Sequence, residues 1–113
     1  MNSNELAKAI ADAALDKKAS RIIIQDLSEK SDMCEFQVIC SGQTERQTQA
    51  ITDGIEASLR QQGVRPAAIE GKMTGHWILM DYRSVIVHIF MDGIRDFYAL
   101  ENLWPDADLK QVK

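Results

Sequence analysis

Apolar residues recur at helical spacing near the N-terminus. Leu6, Ala9, Ile10, Ala13 and Ala14 fall on one stripe, which predicts a helix over about 4–17 capped by Asn4 or Ser3. Two β-branched runs follow, Arg21-Ile22-Ile23-Ile24-Gln25-Asp26 and Phe36-Gln37-Val38-Ile39-Cys40, and both read as strands. Their link, Leu27 to Cys34, is polar and too short for a parallel crossover, so the pair is antiparallel. Ser41-Gly42 breaks the second strand, and Thr44 and Gln47 stand at capping-box spacing. Ile51, Ile55 and Leu59 line the inner side of the helix that starts there, and Gly63 stops it. A short strand over 67–70 follows Pro66, and Gly71 and Gly75 bracket a loop.

The clearest hairpin joins 76–81 to 84–90 through Tyr82-Arg83. A two-residue loop pairs Asp81 with Ser84, Leu79 with Ile86 and Trp77 with His88. Tyr82 and Arg83 are poor residues for the positive φ of a type I′ turn, and a longer loop shifts this register. A last helix over 94–104 turns Phe97, Leu100 and Trp104 inward and ends at Pro105. The order α β β α β β β α predicts one α/β domain over 1–113, with a mixed five-stranded sheet and helices packed mainly on one face.

The two faces of the hairpin differ. Ile78, Met80, Val85 and Val87 form an aliphatic face that belongs under helices. Trp77, Leu79, Asp81 and His88 form a mixed face. Left uncovered by helices, that face is a protein-binding surface. Covered by the Gly71–Gly75 loop or a second copy of the chain, it is structural.

Composition narrows the function. Thirteen basic and seventeen acidic residues give 13 − 17 = −4. A domain built chiefly to grip nucleic acid carries the opposite balance, so nucleic acid is at most a peripheral partner. No apolar run reaches the roughly 20 residues of a membrane span, and Met1-Asn2-Ser3-Asn4-Glu5 is no signal peptide. Cys34 and Cys40 on one extended segment stand too far apart to pair, so both are expected as reduced, buried thiols in the cytoplasm.

Sites for chemistry are sparse. No C-x-x-C, H-x-x-x-H or H-E-x-x-H joins Cys34, Cys40, His76 and His88, which excludes a recognisable metal site and leaves His88 as a satisfied sheet histidine. Cys40-Ser41-Gly42 lacks the G-x-S-x-G elbow, and neither dinucleotide nor Walker glycine pattern occurs. Asp26, Glu35, Glu70 and Asp81 lie near strand ends without the D-x-D of metal-dependent nucleotidyl transfer. Arg95 and Tyr98 either reach a partner or pack on the sheet edge. No cofactor is called for.

Four blocks resemble a known family: Glu35 to Gly42 with Arg46-Gln47 and Ala50-Ile51; Glu70-Gly71; Gly75 to Tyr82 with Val85 to Phe90; and Arg95, Phe97-Tyr98, Leu100-Glu101 and Leu103-Trp104. In their order and spacing, over about 6–107, the chain resembles the ribosomal silencing factor family, also called iojap-like. Where that family usually has Asp this chain has Glu35, and where its turn often has Gly this chain has Arg83.

The resemblance implies a nucleotidyltransferase-like topology without catalytic acids, and so no enzyme. It implies binding to the large ribosomal subunit through ribosomal protein uL-fourteen, a steric block on subunit joining, repression of translation under nutrient limitation, and a homodimer. Set on this sequence, Trp77 and Leu79 become the expected anchors, with Asp81, Tyr82, Arg83 and Glu70 at the rim. The alternatives are a nucleotidyltransferase-like enzyme and a dimeric adaptor with another partner.

Overall fold

The protein, seen in a computed structural model, is described over residues 1–29, 34–98 and 108–112. Helix α1 spans Ser3–Asp16 and buries Leu6, Ala7, Ile10, Ala11, Ala13 and Ala14. Its cap is Asn2, one residue before the earlier of the two expected caps. Asn2 Oδ1 accepts the Glu5 N–H at 2.8 Å, and Glu5 Oε1 accepts the Asn2 N–H at 2.9 Å, so a reciprocal box closes the first turn. Helix α2, Glu45–Arg60, is capped by Thr44 as expected, and Ile51, Ile55 and Leu59 lie inward.

All five expected strands form: β1 Ser20–Asp26, β2 Phe36–Gly42, β3 Ala68–Glu70, β4 Trp77–Asp81 and β5 Val85–Met91. A sixth, β6 Asp108–Gln111, pairs antiparallel with β1 and was not expected from the polar tail. The sheet order is β3-β4-β5-β2-β1-β6, and β2 and β5 run parallel while the other neighbours are antiparallel. Strand β2 does not stop at Cys40. Its ladder with β5 continues through Ser41↔Phe90 to Gly42↔Met91, because both strands stay extended to the start of the next helix.

Two irregularities set the geometry. Between Ser20↔Ser41 and Ile23↔Ile39, β1 carries one more residue than β2, a bulge at which Arg21 takes φ 51. In the hairpin, the Tyr82 N–H donates to the Val85 carbonyl at 3.0 Å, which leaves Arg83-Ser84 as the loop. The expected register is therefore corrected: Trp77 faces Phe90, Leu79 faces His88 and Asp81 faces Ile86. The slip is two residues, an even number, so every side chain keeps its expected face.

Helices α1 and α2 cover the aliphatic face. Ile22, Ile24, Val38, Cys40, Ile78, Met80, Val85, Val87 and Ile89 join their apolar stripes in one buried cluster. Helix α3 is Asp92–Tyr98 and starts two residues before the expected Ile94. Its expected inward side chain Phe97, together with Leu100, Trp104 and the stop at Pro105, lies outside what the structure describes.

Candidate docking face

The other face is built by the period-two alternation of three neighbouring strands. From β4 come Trp77, Leu79 and Asp81; from β5 come Ile86, His88 and Phe90; from β3 come Ala68 opposite Asp81 and Glu70 opposite Leu79. Trp77, Leu79, Asp81 and Ile86 are half-buried, whereas Ala68 and Glu70 are exposed. The result is a shallow apolar strip with carboxylates on its β3 side and at the hairpin end.

Trp77 does not stand out from this strip; it lies along it. Its indole stacks on Phe90 with ring centroids 5.0 Å apart and planes at 29°. Its Nε1–H donates to His88 Nδ1 at 3.0 Å. These two are diagonal neighbours across the strands, since Trp77 faces Phe90 and His88 faces Leu79. An accepting Nδ1 means a neutral imidazole with its proton on Nε2. Burial disfavours the charged ring and takes its pKa down to about 4. The expectation of a satisfied sheet histidine holds, and its partner is the residue expected to anchor the face.

The rim residues divide. Glu70 and Asp81 are where the sequence places them, on the Trp77 side. Asp81 Oδ1 accepts the Arg83 N–H at 2.7 Å and so braces the hairpin tip, where Arg83 is exposed with φ 72. Tyr82 is a correction: it belongs to the aliphatic face, only 6% exposed and packed in the core. The reason is the shifted loop, because once Tyr82 joins the strand it follows Ile78 and Met80 inward. Burial, then the Glu56 charge, pushes its hydroxyl pKa up to about 12, against a smaller opposing effect of Arg60. Sequence reasoning paired Ile86 with Leu79 on this face without naming it among the site residues, and it missed Phe90, although alternation from His88 already puts Phe90 there.

The Gly71–Gly75 loop is drawn toward α2. Gln49 Nε2 donates to the Lys72 carbonyl at 2.9 Å, Thr48 Oγ1 donates to the Gly75 carbonyl at 2.6 Å, and Lys72 pairs with Asp53. His76 Nε2 meets Glu45 Oε1 at 2.8 Å beside this loop. The loop thus braces the entrance to β4, and the indole beyond it stays half-buried.

At the far end of the same face, Arg95 of α3 is buried. Its Nη1 donates to the Arg21 carbonyl at 2.5 Å and to Ser41 Oγ at 2.9 Å, while the Arg21 guanidinium lies 3.5 Å from Asp92. Of the two uses open to Arg95, packing on the sheet is the one found. Four residues along β2 from Ser41, Gln37 and its β1 partner Gln25 are buried as an amide pair at 2.8 Å.

Chemistry elsewhere is muted. Cys40 is fully buried, and burial pushes its thiol pKa up to about 12 despite the opposing charge of Arg95. Cys34 is only half-buried, and burial followed by the Asp81 charge raises its pKa. Asp26 serves as a turn cap, accepting from the Ser28 hydroxyl and N–H, which lowers its pKa. Among the described residues, no three His, Cys, Asp or Glu side chains gather as metal ligands. Among them too, no helix is long and apolar enough to cross a membrane.

Comparison with known proteins gives one consistent picture. The family model described as "Ribosomal silencing factor during starvation" matches residues 1–113. A ribosomal silencing factor from Halalkalibacterium halodurans is 35% identical over 113 residues, 100% of this chain and 97% of the relative. One from Bacillus subtilis is 35% identical over 112 residues, 99% and 95% of the two chains. A crystal structure from Chromobacterium violaceum superposes with a TM-score of 0.91 at 28% identity, over 100% of this chain and 94% of that one.

Proposed function

The chain belongs to the ribosomal silencing factor family, and from that premise we propose that it silences by steric exclusion, as a non-catalytic wedge on the large ribosomal subunit. The observation that carries this reading is the strip of half-buried Trp77, Leu79 and Ile86 edged by Glu70 and Asp81. An apolar centre with a charged rim is the anatomy of a protein-docking patch. Carboxylates at the rim and a net charge of −4 favour a basic protein target over exposed RNA phosphates. We take that target to be ribosomal protein uL-fourteen, on the surface facing the small subunit, a reading supported by the acidic rim and the family membership.

A domain of this size covers an interface of about 800 Å² per partner, enough to occupy the ground the opposing subunit needs. Silencing then requires no bond to be made or broken. Translation falls when nutrients are scarce because subunits that carry the factor do not join. The factor acts in the cytoplasm, where ribosomal subunits meet, and self-association into a homodimer competes for the strip if both use it.

Co-sedimentation with purified large subunits, paired with a subunit-joining assay, tests the proposal. The parent chain co-sediments and blocks joining. Trp77→Ala weakens binding by about 2 kcal/mol or more, as central aromatic truncations do. Undiminished co-sedimentation of Trp77→Ala removes the strip from the interface, and normal joining at saturating factor ends the wedge.

A further inference from the structure

We propose that His88 is a positioning residue for docking: its Nδ1 holds the Trp77 indole flat along the strip in the orientation the partner meets. This rests on the docking reading above and extends it to a residue that need not touch the partner. A half-buried indole N–H needs an acceptor, and here that acceptor is His88 Nδ1 at 3.0 Å. The stack on Phe90, 5.0 Å between centroids, fixes the plane of the indole, and the hydrogen bond fixes its rotation within that plane. His88 is well suited to this. It is 7% exposed, sits mid-strand between Leu79 of β4 and Ile39 of β2, and owes its place to two ladders rather than to a loop. A side chain already held in its bound orientation loses less freedom on association, so the bond acts on affinity without contributing a contact.

The test separates acceptor from bulk. In a Trp104→Phe background, Trp77 is the sole remaining tryptophan of the two and its indole N–H gives one nuclear magnetic resonance signal. His88→Asn keeps an acceptor oxygen near the Nδ1 position. His88→Phe keeps a flat ring without an acceptor, and His88→Leu removes the acceptor with less bulk should Phe overfill the site. His88→Phe and His88→Leu are expected to shift the indole signal and speed its hydrogen exchange, and to weaken binding to purified large subunits about tenfold. His88→Asn is expected to stay near the parent in both readouts.

Parental binding by folded His88→Phe or His88→Leu, with Trp77→Ala impaired, overturns the positioning role and leaves the docking face intact. Loss of binding by His88→Asn equal to that of His88→Phe also overturns it, since the acceptor is then irrelevant. Parental binding by Trp77→Ala overturns the docking reading itself, while the indole signal in the His88 variants still shows whether His88 holds the ring.

Discussion

A first side-chain carbon on Gly71 would lie 2.2 Å from the carbonyl oxygen of Trp77. Gly71 also has φ 81, a conformation side chains resist. Gly63 has nearly the same φ, 78, but open space around it. The two positions separate backbone preference from collision. Gly63→Ala is expected to cost about 1 kcal/mol, the left-handed penalty alone. Gly71→Ala adds a clash with β4 backbone that no rotamer relieves, and about 3 kcal/mol in total is expected. Denaturant midpoints of both variants check this; equal losses would show that β4 yields at its entrance.

Arg83 occupies a left-handed position, φ 72, at the tip of the β4–β5 hairpin. Its N–H is held by Asp81 Oδ1 at 2.7 Å, so the conformation is imposed from outside the residue. Arg83→Gly relieves the strain and loosens the unfolded chain, with opposing signs. The strain is the larger effect, and a net gain of about 0.5–1 kcal/mol is expected in thermal unfolding. A loss would place the Arg83 side chain in a stabilising contact.

These loops also show what could be read from the sequence. The faces of β4 and β5 were legible because alternation survives any even slip, and the slip was two residues. The residue inside the loop was not legible, and Tyr82 was misplaced with it. A signal existed in the resemblance: the Gly it implies where this chain has Arg83 suits positive φ, and φ 72 there goes with a loop at Arg83-Ser84 and Tyr82 in the strand. The bulge at Arg21 had no such mark, since neither Gly nor Pro stands there. Strand β6 was hidden because Asp108-Leu109-Lys110-Gln111 is polar and gains its ladder only from the open edge of β1. The face shared by Trp77 and Leu79 was legible, but the Trp77–His88 hydrogen bond was not. It runs on the diagonal, which depends on register.

The neutral His88 makes stability pH-dependent with a definite sign. Its pKa is about 4 in the fold against an ordinary 6.5, because burial opposes the charged ring. Between these values the unfolded chain binds a proton that the folded one does not, so stability rises with pH across the window. Its contribution is complete above about 6.5 and is lost progressively as pH falls toward 4, roughly 3 kcal/mol in all. Urea unfolding at pH 7 and pH 4.5 measures it. The parent should lose about 2–3 kcal/mol more than His88→Asn over that interval. Parallel losses would assign the acid sensitivity to other groups.

Arg95 is 1% exposed and ties α3 to two strands at once. Arg95→Ala leaves the Arg21 carbonyl without this charged donor and strips one from Ser41 Oγ, and about 3 kcal/mol of destabilisation is expected. Arg95→Lys should not restore it, since a single ammonium does not reproduce the planar guanidinium. Urea midpoints read the loss, and hydrogen exchange of the Asp92–Tyr98 amides locates it. Full recovery by Lys would show that charge, not geometry, is what the bulge needs.

Tyr82 and Trp77 are neighbours along one hairpin but answer to different faces, and the contrast is open to experiment. Among the described residues the Tyr82 hydroxyl is buried without a hydrogen-bond partner. Removing it relieves a desolvated polar atom and leaves the packed ring, so Tyr82→Phe is expected to be neutral or to stabilise by up to about 1 kcal/mol. Because the ring points into the aliphatic core, the same change should leave affinity for large subunits at the parental level. Tyr82→Ala, by contrast, opens a core cavity and costs about 3–4 kcal/mol, which lowers activity through unfolding instead of through the interface. The two variants, measured by thermal unfolding and co-sedimentation together, separate those routes. Weakened binding by a fully folded Tyr82→Phe would return the hydroxyl to the partner surface and require the hairpin to open on docking.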